Sequence, residues 1–397
     1  IGLGEYLDVT AVGQDTGIFS FTMPDDGNSV SITVTFPEAP VSYINAAGQT
    51  VDTGNETVRI LTGNETSLDA GWYVTDGTLN YSQKITLNGD VHLILQDGAV
   101  MNVGTEQTPV NSNFGIIGNN YSFSIYAQST GDNKGQLHVN ASGNYCIIIT
   151  NITINGGIVT ANGSDFGLFA SNDVTINGGQ VTANGGSAGI YAKGNIPLGW
   201  TGATDFIQAN LYYSDGGTVS IAEGKAFAVY NGETLTSYLP SGTLNNDQVS
   251  ALGGKTLRPV ASIPVVAPQN RNITNVTLTG ATLTWEPGNV ETQWQVAYSI
   301  DGGATWSKAE TVMEPTYTLT GLTTGISVTV RVRAYYDDSL YSKYVTCTFT
   351  PNSPVSYLDA EGNTQQRADY TILTGSETSL NAGWYVADGT LGYSQQI

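Results

Sequence analysis

Apolar and polar residues alternate in short runs along most of the chain, as half-buried β-strands require. The run ITLNGDVHLILQDGAVMNV, residues 85–103, shows this pattern, with NGD and DG turns between its strands. No segment has helical periodicity, and no run approaches roughly 18 consecutive apolar residues, the length of a membrane-spanning helix. The pattern predicts an all-β protein with no membrane insertion in this segment.

A repeat with a period of 22 residues follows. The segments GQLHVNASGNYCIII, GIVTANGSDFGLFAS and GQVTANGGSAGIYAK, which begin at Gly135, Gly157 and Gly179, align without a gap. At about 3.3 Å a residue, one repeat makes a closed path of roughly 70 Å, which suits three short strands and tight turns. The repeat therefore predicts a right-handed parallel β-helix with coils of about 22 residues.

The period assigns a place to each side chain in the stack. The inward ladders are predicted to be Leu137, Val159 and Val181; Ile152, Val174 and Ile196; and Ile154, Ile176 and Leu198. Asn155 and Asn177 are predicted to form an amide ladder at a turn. Cys146 aligns with Leu168 and Ile190, which predicts a buried, unreactive thiol.

The two histidines give little support for a metal site. His138 aligns with outward threonines, and His92 alternates outward within VHLIL, so both are predicted to be solvated. They belong to different coils and have no matching Cys or carboxylate cluster. We expect no metal or cofactor, with a structural calcium ion in an acidic turn as the remaining alternative.

The fourth coil breaks the repeat. Its turn glycines recur only at Gly216 and Gly217, which predicts a 16-residue insertion over residues 200–215. Aromatic faces stack on sugars while Asp and Asn bond hydroxyl groups, so the insertion is a candidate glycan site. The alternative is that its aromatic residues pack inward. The candidate ligand-binding residues are Trp200, Asp205, Phe206, Asn210, Tyr212 and Tyr213.

A duplication marks the module boundaries. The 25 residues 61–85 recur at 373–397 with five differences. Residues 41–84 are predicted to cap a module spanning 41–260, with Trp72 and Tyr73 sealing its first layer or, alternatively, stacking on a sugar. Residues 355–397 are predicted to begin a second, truncated copy of a tandem array. Residues 1–38, with alternating apolar residues at 30–36, are predicted to end a preceding β repeat.

Longer alternating strands follow a Pro-rich linker that begins at Ala261. The phrases LTWEPG, WQVAYSIDGGATWS and YTLTGLTTGISVTVRVRAYY occur in this order between residues 283 and 336. On these phrases, residues 262–350 resemble a fibronectin type III domain. The resemblance implies a sandwich of seven short strands with Trp285 in its core. Val328 stands where this family usually has its corner tyrosine.

Residues 41–260 also resemble a known module. The phrases GWYVTDGTL, VHLILQDGA, SIYAQS, ITINGG and LGWTGATDFI are similar to those of Gly/Asn-rich β-helical repeat modules in bacterial, especially gut-associated, surface proteins. Such modules are often described as carbohydrate-binding. The resemblance implies an extracellular location on a bacterial cell surface and a glycan or host surface ligand as partner.

Charge narrows the class of partner. The 397 residues carry 13 Lys and Arg against 34 Asp and Glu, a net charge of −21. Such a chain repels phosphate backbones and anionic membranes, so we do not expect nucleic acid as a partner. The two cysteines fall in different modules and are not expected to pair.

The residues also weigh against catalysis. Residues 86–257 contain no arginine, and their acids do not recur at equal registers: Asp165 aligns with Gly143 and Ser187. A glycosidase needs two facing carboxyl groups, and a lyase needs a base beside acidic groups. We therefore expect a non-enzymatic, secreted surface protein that binds glycan or serves adhesion. The alternatives are a purely structural stalk and, less favoured, a polysaccharide lyase or glycosidase.

Overall fold

The computed structural model describes residues 10–11, 19–20, 40–214, 216–367, 370–373 and 375–387. The chain forms two compact units, residues 1–40 and 41–397. In the first unit, β1 (Thr10–Ala11) pairs antiparallel with β2 (Phe19–Ser20). The alternating run predicted at residues 30–36 lies outside the described residues.

Short strands make up almost all regular structure between residues 41 and 260. They are, in chain order with helix α1, β3 Ser42–Ile44, β4 Thr50–Asp52, β5 Val58–Ile60, β6 Ser67–Leu68, β7 Gly71–Val74, β8 Thr78–Tyr81, β9 Ile85–Leu87, β10 Val91–Leu95, β11 Val100–Val103, β12 Phe114–Ala127, β13 Gln136–Asn140, β14 Tyr145–Ile154, β15 Ile158–Asn162, β16 Phe166–Ala170, β17 Val174–Ile176, β18 Gln180–Asn184, β19 Ala188–Ala192, β20 Ile196–Leu198, β21 Phe206–Ala209, β22 Leu211–Tyr213, β23 Val219–Ile221, β24 Phe227–Asn231, β25 Thr234–Leu239, β26 Gly242–Thr243, α1 Asn246–Ser250 and β27 Thr256–Pro259.

Most of these strands belong to three parallel series. One series runs β5, β7, β10, β12, β14, β17, β20, β23, and a second runs β8, β11, β13, β15, β18, β21. The third runs β6, β9, β12, β14, β16, β19, β22, with the long strands β12 and β14 shared by the first and third series. Each pass of the chain through all three series is one coil.

The register of the coils agrees with the 22-residue period. Leu137 pairs with Val159 and Val159 with Val181, while Ile154 pairs with Ile176 and Ile176 with Leu198. The side chains of these ladders are buried in one continuous core. Burial of each such side chain contributes roughly 1.5–3 kcal/mol, so the stack of apolar ladders is the main stabilising element of this region.

Ladders of asparagine side chains form hydrogen bonds between successive coils at the turns between the strands. Asn177 Nδ2 donates to Asn155 Oδ1 at 2.8 Å, as the repeat predicts. At another corner, Asn184 donates to Asn162 and Asn162 to Asn140, each at 2.8 Å. Each bond links two coils, because residues 22 positions apart lie one strand spacing from each other.

The alignment of Cys146 is wrong by one residue. In the third series the offset between these two coils is 21, so Ile147 rather than Cys146 pairs with Leu168. The turn before Tyr145 is one residue longer than the turn before Phe166, which accounts for the slip. Cys146 is nevertheless buried, its thiol donates to the Val139 carbonyl at 3.0 Å, and burial raises its pKa to about 12.

Antiparallel strands end the stack. β27 pairs antiparallel with β21 and with β24, β25 pairs antiparallel with β24, and β26 pairs antiparallel with β23. This change of direction covers the last edges of two parallel series, which limits pairing with other chains. At the first coil, Tyr73 is buried in the core, whereas Trp72 lies on the outer face against Tyr43, His92 and Tyr126.

Residues 262–350 form two antiparallel sheets. Their strands are β28 Gln269–Thr274, β29 Ala281–Glu286, β30 Trp294–Ser299, β31 Glu310–Val312, β32 Thr316–Leu319, β33 Val328–Ala334 and β34 Val345–Phe349. One sheet has the order β28-β29-β32 and the other β31-β30-β33-β34. Trp285 is buried between them, as predicted, with its ring 5.8 Å from that of Trp294. Val328 is also buried in this core.

Residues 355–387, which include the start of the second copy of the duplicated segment, contain four short strands. They are β35 Val355–Leu358, β36 Thr364–Arg367, β37 Thr371–Leu373 and β38 Tyr385–Ala387. β35 and β36 pair antiparallel, and β37 and β38 pair parallel. Within the part of the chain described, no helix is long and apolar enough to cross a membrane.

Candidate functional site

Residues 200–214 do not leave the stack as a single loop, so the predicted 16-residue insertion is wrong. β21 continues the second series, with Ile207 paired to Val181, and β22 continues the third, with Tyr212 paired to Tyr191. The extra length is four residues, because Gln180 pairs with Phe206, 26 positions later. The glycine pair at 216–217 lies at a different corner, since Val219 pairs with Ile196.

Asp205 belongs to a buried ion pair within this longer turn. Its Oδ1 lies 3.1 Å from Lys134 Nζ, and the two side chains are only 5% and 3% exposed. Its Oδ2 accepts from the backbone N–H groups of Thr201 at 2.9 Å and Gly202 at 2.8 Å. Burial raises the pKa of Asp205, but these hydrogen bonds and Lys134 lower it more. The carboxylate therefore holds the turn and is not available to a ligand.

Most of the other predicted residues tie this coil to the closing segment. The Trp200 indole N–H donates to the Ala226 carbonyl at 3.0 Å, and Lys225 Nζ lies 4.1 Å from the indole centroid. The Tyr213 hydroxyl donates to Asn246 Oδ1.

Asn210 and Phe206 differ in exposure. Asn210 is exposed, but its Oδ1 accepts from the Gly254 N–H at 2.8 Å. Phe206 is half-buried at the start of β21. Packing therefore accounts for Trp200, Asp205 and Tyr213, and in part for Phe206 and Asn210.

Among the predicted aromatic residues, Tyr212 is the one that faces solvent, with 59% of its surface exposed. It lies at the end of a row of outward aromatic side chains on the third series, which we call the aromatic strip. The strip consists of Phe114, Tyr145, Phe166, Phe169, Tyr191 and Tyr212.

Coil spacing brings the rings of the strip face to face. The ring centroids of Phe169 and Tyr191 are 4.9 Å apart with planes 11° from parallel, and those of Tyr191 and Tyr212 are 5.6 Å apart at 14°. Each inner ring thus covers the face of its neighbour. Among the described residues no ring or cation lies over the second face of Tyr212, so the strip ends in an open aromatic face.

A polar groove of about 370 Å³ lies at the corner that precedes β22. It is lined by Gly163, Ala183, Asn184, Gly185, Gly189, Gln208, Ala209, Asn210 and Gly254. Asn184 is the last member of its amide ladder, and in the described structure its Oδ1 accepts no hydrogen bond. Asn210 is two residues from Tyr212, so the groove and the open ring lie on adjoining parts of one coil.

The strip was missed because the sequence comparison followed inward positions. Its signal is present in the sequence, since aromatic residues recur every 21 or 22 positions at 145, 166 and at 169, 191, 212. The sequence gives no comparable indication for Lys134, because its partner Asp205 lies 71 residues away along the chain.

The histidines are half-buried, so the prediction that they are solvated is wrong. His92 stacks on Trp72 with centroids 4.5 Å apart, and its Nδ1 lies 3.3 Å from the Tyr126 hydroxyl. His138 Nε2 lies 2.9 Å from Gln136 Oε1. Burial lowers the pKa of both imidazoles. The described residues contain no group of three His, Cys, Asp or Glu side chains placed to hold a metal ion.

Comparison with known proteins concerns the β-sandwich. Residues 266–348 match the family model of the fibronectin type III domain. No curated protein sequence matches the chain. Together with the two antiparallel sheets, the family match makes the protein an all-β, modular chain with a fibronectin type III domain.

Three solved structures are similar to part of the chain. A computationally redesigned β-sandwich protein is 28% identical, covers 22% of this chain and 94% of its own, and gives a TM-score of 0.20. The fibronectin type III domain of human collagen α-1(XX) is 22% identical, with coverages of 24% and 91% and a TM-score of 0.21. A myokine structure is 14% identical, with coverages of 22% and 99% and a TM-score of 0.20.

Proposed function

We propose that residues 41–260 form a parallel β-helix that binds glycan, within a non-catalytic, exported bacterial cell-surface protein of tandem modules. The observation that carries this proposal is the exposed ring of Tyr212, which is two residues along the chain from Asn210 in the lining of the polar groove. The C–H face of a sugar ring can stack on an aromatic face, while neighbouring amides bond its hydroxyl groups. Asn184 and Gln208 supply such amides in the groove.

The character of the groove supports binding without catalysis. None of its lining residues carries a carboxylate, whereas glycoside hydrolysis uses a pair of carboxyl groups. Asp205, the acid of the predicted site, is already paired with Lys134. A neutral, amide-lined groove is suited to holding hydroxyl groups.

Modular architecture supports a role in adhesion. A single open ring with a shallow groove supplies little contact area, so each site is expected to bind weakly. Tandem modules that are spaced by β-sandwich domains would raise the overall avidity for a multivalent glycan surface. Such an arrangement is typical of a protein that is displayed outside the cell.

The test is binding of the full chain to an array of neutral polysaccharides. Tyr212→Ala should weaken binding about tenfold, because loss of a stacking ring costs roughly 1–1.5 kcal/mol. Tyr212→Phe keeps the ring and should bind like the wild type. Since Tyr212 is exposed, both variants should keep the wild-type melting temperature. If wild type and Tyr212→Ala bind equally well, the glycan site does not include the Tyr212 ring.

A structural stalk is the second candidate function. Three of the predicted binding residues, Trp200, Asp205 and Tyr213, favour this function. Their side chains contact other parts of the chain and so serve to join the coils. Absence of binding by the wild type to any glycan on the array, together with a cooperative and protease-resistant fold, would favour the stalk.

A further inference from the structure

The outer face of the four-stranded sandwich sheet carries alternating cations and aromatic rings. Along β33, Val328, Val330, Val332 and Ala334 are buried, so Arg331 and Arg333 project from the opposite face. We call this surface the cation–aromatic face; it consists of Trp306, Arg331, Arg333, Tyr341 and Tyr344.

Both guanidinium groups are held between rings. Arg331 Cζ lies 4.1 Å from the Trp306 ring centroid and 4.2 Å from that of Tyr344. Arg333 Cζ lies 3.7 Å from the Tyr341 centroid and 4.6 Å from that of Tyr344. Rings that cover the flat faces of a guanidinium leave its in-plane N–H edges for hydrogen bonding, and they restrict its rotation.

The two arginines differ in their hydrogen bonds. Arg333 Nε and Nη2 donate to Gln295 Oε1 at 3.0 and 2.6 Å. The Arg331 guanidinium has no hydrogen bond or ion pair in the described structure, and its Nε is buried without an acceptor. Because the Nε atom is buried, an external acceptor can reach only the two Nη groups, which donate no hydrogen bond in the described structure.

Charge identifies the class of acceptor. Residues 266–348 contain five of the 13 basic residues and seven of the 34 acidic ones, so the sandwich is far less acidic than the rest of the chain. The ion pairs of the described residues, Lys134–Asp205 and Arg258–Glu233, lie outside the sandwich. A carboxylate is the planar anion that matches the fork of a fixed guanidinium.

We propose that the cation–aromatic face binds an acidic segment of a partner protein, with an Asp or Glu carboxylate on the outer edge of the Arg331 guanidinium, which is formed by its Nη1 and Nη2 groups. Uronate-bearing glycans offer the same anion, but sugar recognition also uses open ring faces. Here guanidinium groups cover ring faces of Trp306, Tyr341 and Tyr344. Trp, Tyr and Arg are also the residue types enriched at the centres of protein–protein interfaces.

The experiment measures binding of the full chain to an acetylated hexaglutamate peptide by titration calorimetry at low salt. Arg331→Met keeps the aliphatic stem and should weaken binding at least about tenfold, since a charge-assisted bidentate pair is lost. Arg331→Lys keeps the charge without the fork and should recover only part of the affinity. Arg271→Met, in the same domain, should bind like the wild type, because Arg271 donates to the Pro268 carbonyl elsewhere.

A hexagalacturonate, whose six carboxylates match the number of glutamate side chains in the peptide, is titrated in parallel. Tighter binding of the peptide, lost in Arg331→Met with an unchanged near-ultraviolet spectrum, supports the proposal. Tighter binding of the galacturonate overturns the choice of a protein partner. If the wild type does not bind the peptide, or if wild type and Arg331→Met bind it with equal affinity, the proposed site is wrong.

Discussion

Two copies of nearly the same segment occur in different surroundings in this chain. Their local structures agree closely. The Tyr73 hydroxyl donates to the Asp69 carbonyl at 3.0 Å, and Tyr385 donates to Asn381 at 2.8 Å. The ring centroids of Tyr43 and Trp72 are 5.0 Å apart, and those of Tyr357 and Trp384 are also 5.0 Å apart. Strand pairing also recurs, with β5 parallel to β7 and β37 parallel to β38.

Burial separates the two copies. Leu68 is 3% exposed, whereas its counterpart Leu380 is 40% exposed. Upstream of the two copies, Ile44 and Leu358 each follow a Val-Ser-Tyr sequence and are 4% and 69% exposed. In the first copy, the next coil covers the segment, and Leu68 pairs with Leu87. Local sequence therefore specifies turns and strand pairs, while the neighbouring coil supplies the stabilising contacts, as in other repeat proteins.

We expect the largest difference in stability when the equivalent leucines, Leu68 and Leu380, are each shortened to alanine. Leu68→Ala should lower the free energy of unfolding of the stacked region by about 2–4 kcal/mol, because it leaves a cavity in a packed core. Leu380→Ala should change stability by less than about 0.5 kcal/mol, since its side chain is largely exposed. Urea titration with hydrogen exchange, read on peptides from residues 61–95 for Leu68→Ala and from residues 370–387 for Leu380→Ala, measures both. Equal effects at the two positions would refute the role assigned to the covering coil.

A smaller effect is expected from Glu65, which closes the turn of the first copy. Its carboxylate accepts from the Tyr81 hydroxyl at 2.7 Å and from the Thr62 N–H at 2.8 Å. Partial burial raises the pKa of Glu65, but the hydrogen bonds lower it from 4.5 to about 2. The carboxylate therefore contributes stability above pH 4.5, and this contribution is lost as the pH falls towards 2.

Glu65→Gln should cost about 1 kcal/mol at neutral pH, because the side chain is only half-buried and its bonds are partly screened. The variant should also flatten the loss of stability between pH 4.5 and 2. Urea unfolding at a series of pH values measures this effect. Glu56→Gln, at an exposed position, is the control and should retain the wild-type pH dependence. An unchanged slope in Glu65→Gln would contradict the assignment.

The smallest effect concerns the two equivalent tryptophans. Trp72 is packed among Tyr43, His92 and Tyr126, whereas Trp384 is 47% exposed. Trp384→Phe should therefore remove more of the acrylamide-quenchable fluorescence than Trp72→Phe, with little change in stability. Similar quenching in the two variants would mean that the second copy is covered in solution.

Much of the architecture is predictable because it depends on local periodicity. Ladders such as Leu137, Val159 and Val181 follow from a constant period, since each coil repeats the geometry of the previous one. The β-sandwich follows from strand patterns in order. Prediction failed where turn length changed, by one residue near Cys146 and by four before Phe206. Such changes alter every later alignment, and a fixed period cannot detect them.

The sequence by itself determined the all-β class, the 22-residue period and the duplicated segment, and it named Tyr212 among the candidate ligand residues with its exposure left open. The tertiary structure decided which residues meet across the chain. It paired Asp205 with Lys134, placed Tyr212 at the end of an aromatic strip, and set Arg331 between Trp306 and Tyr344. The sequence period indicates on which face of a strand a residue lies. Contacts between turns that are distant along the chain depend instead on how the whole chain packs.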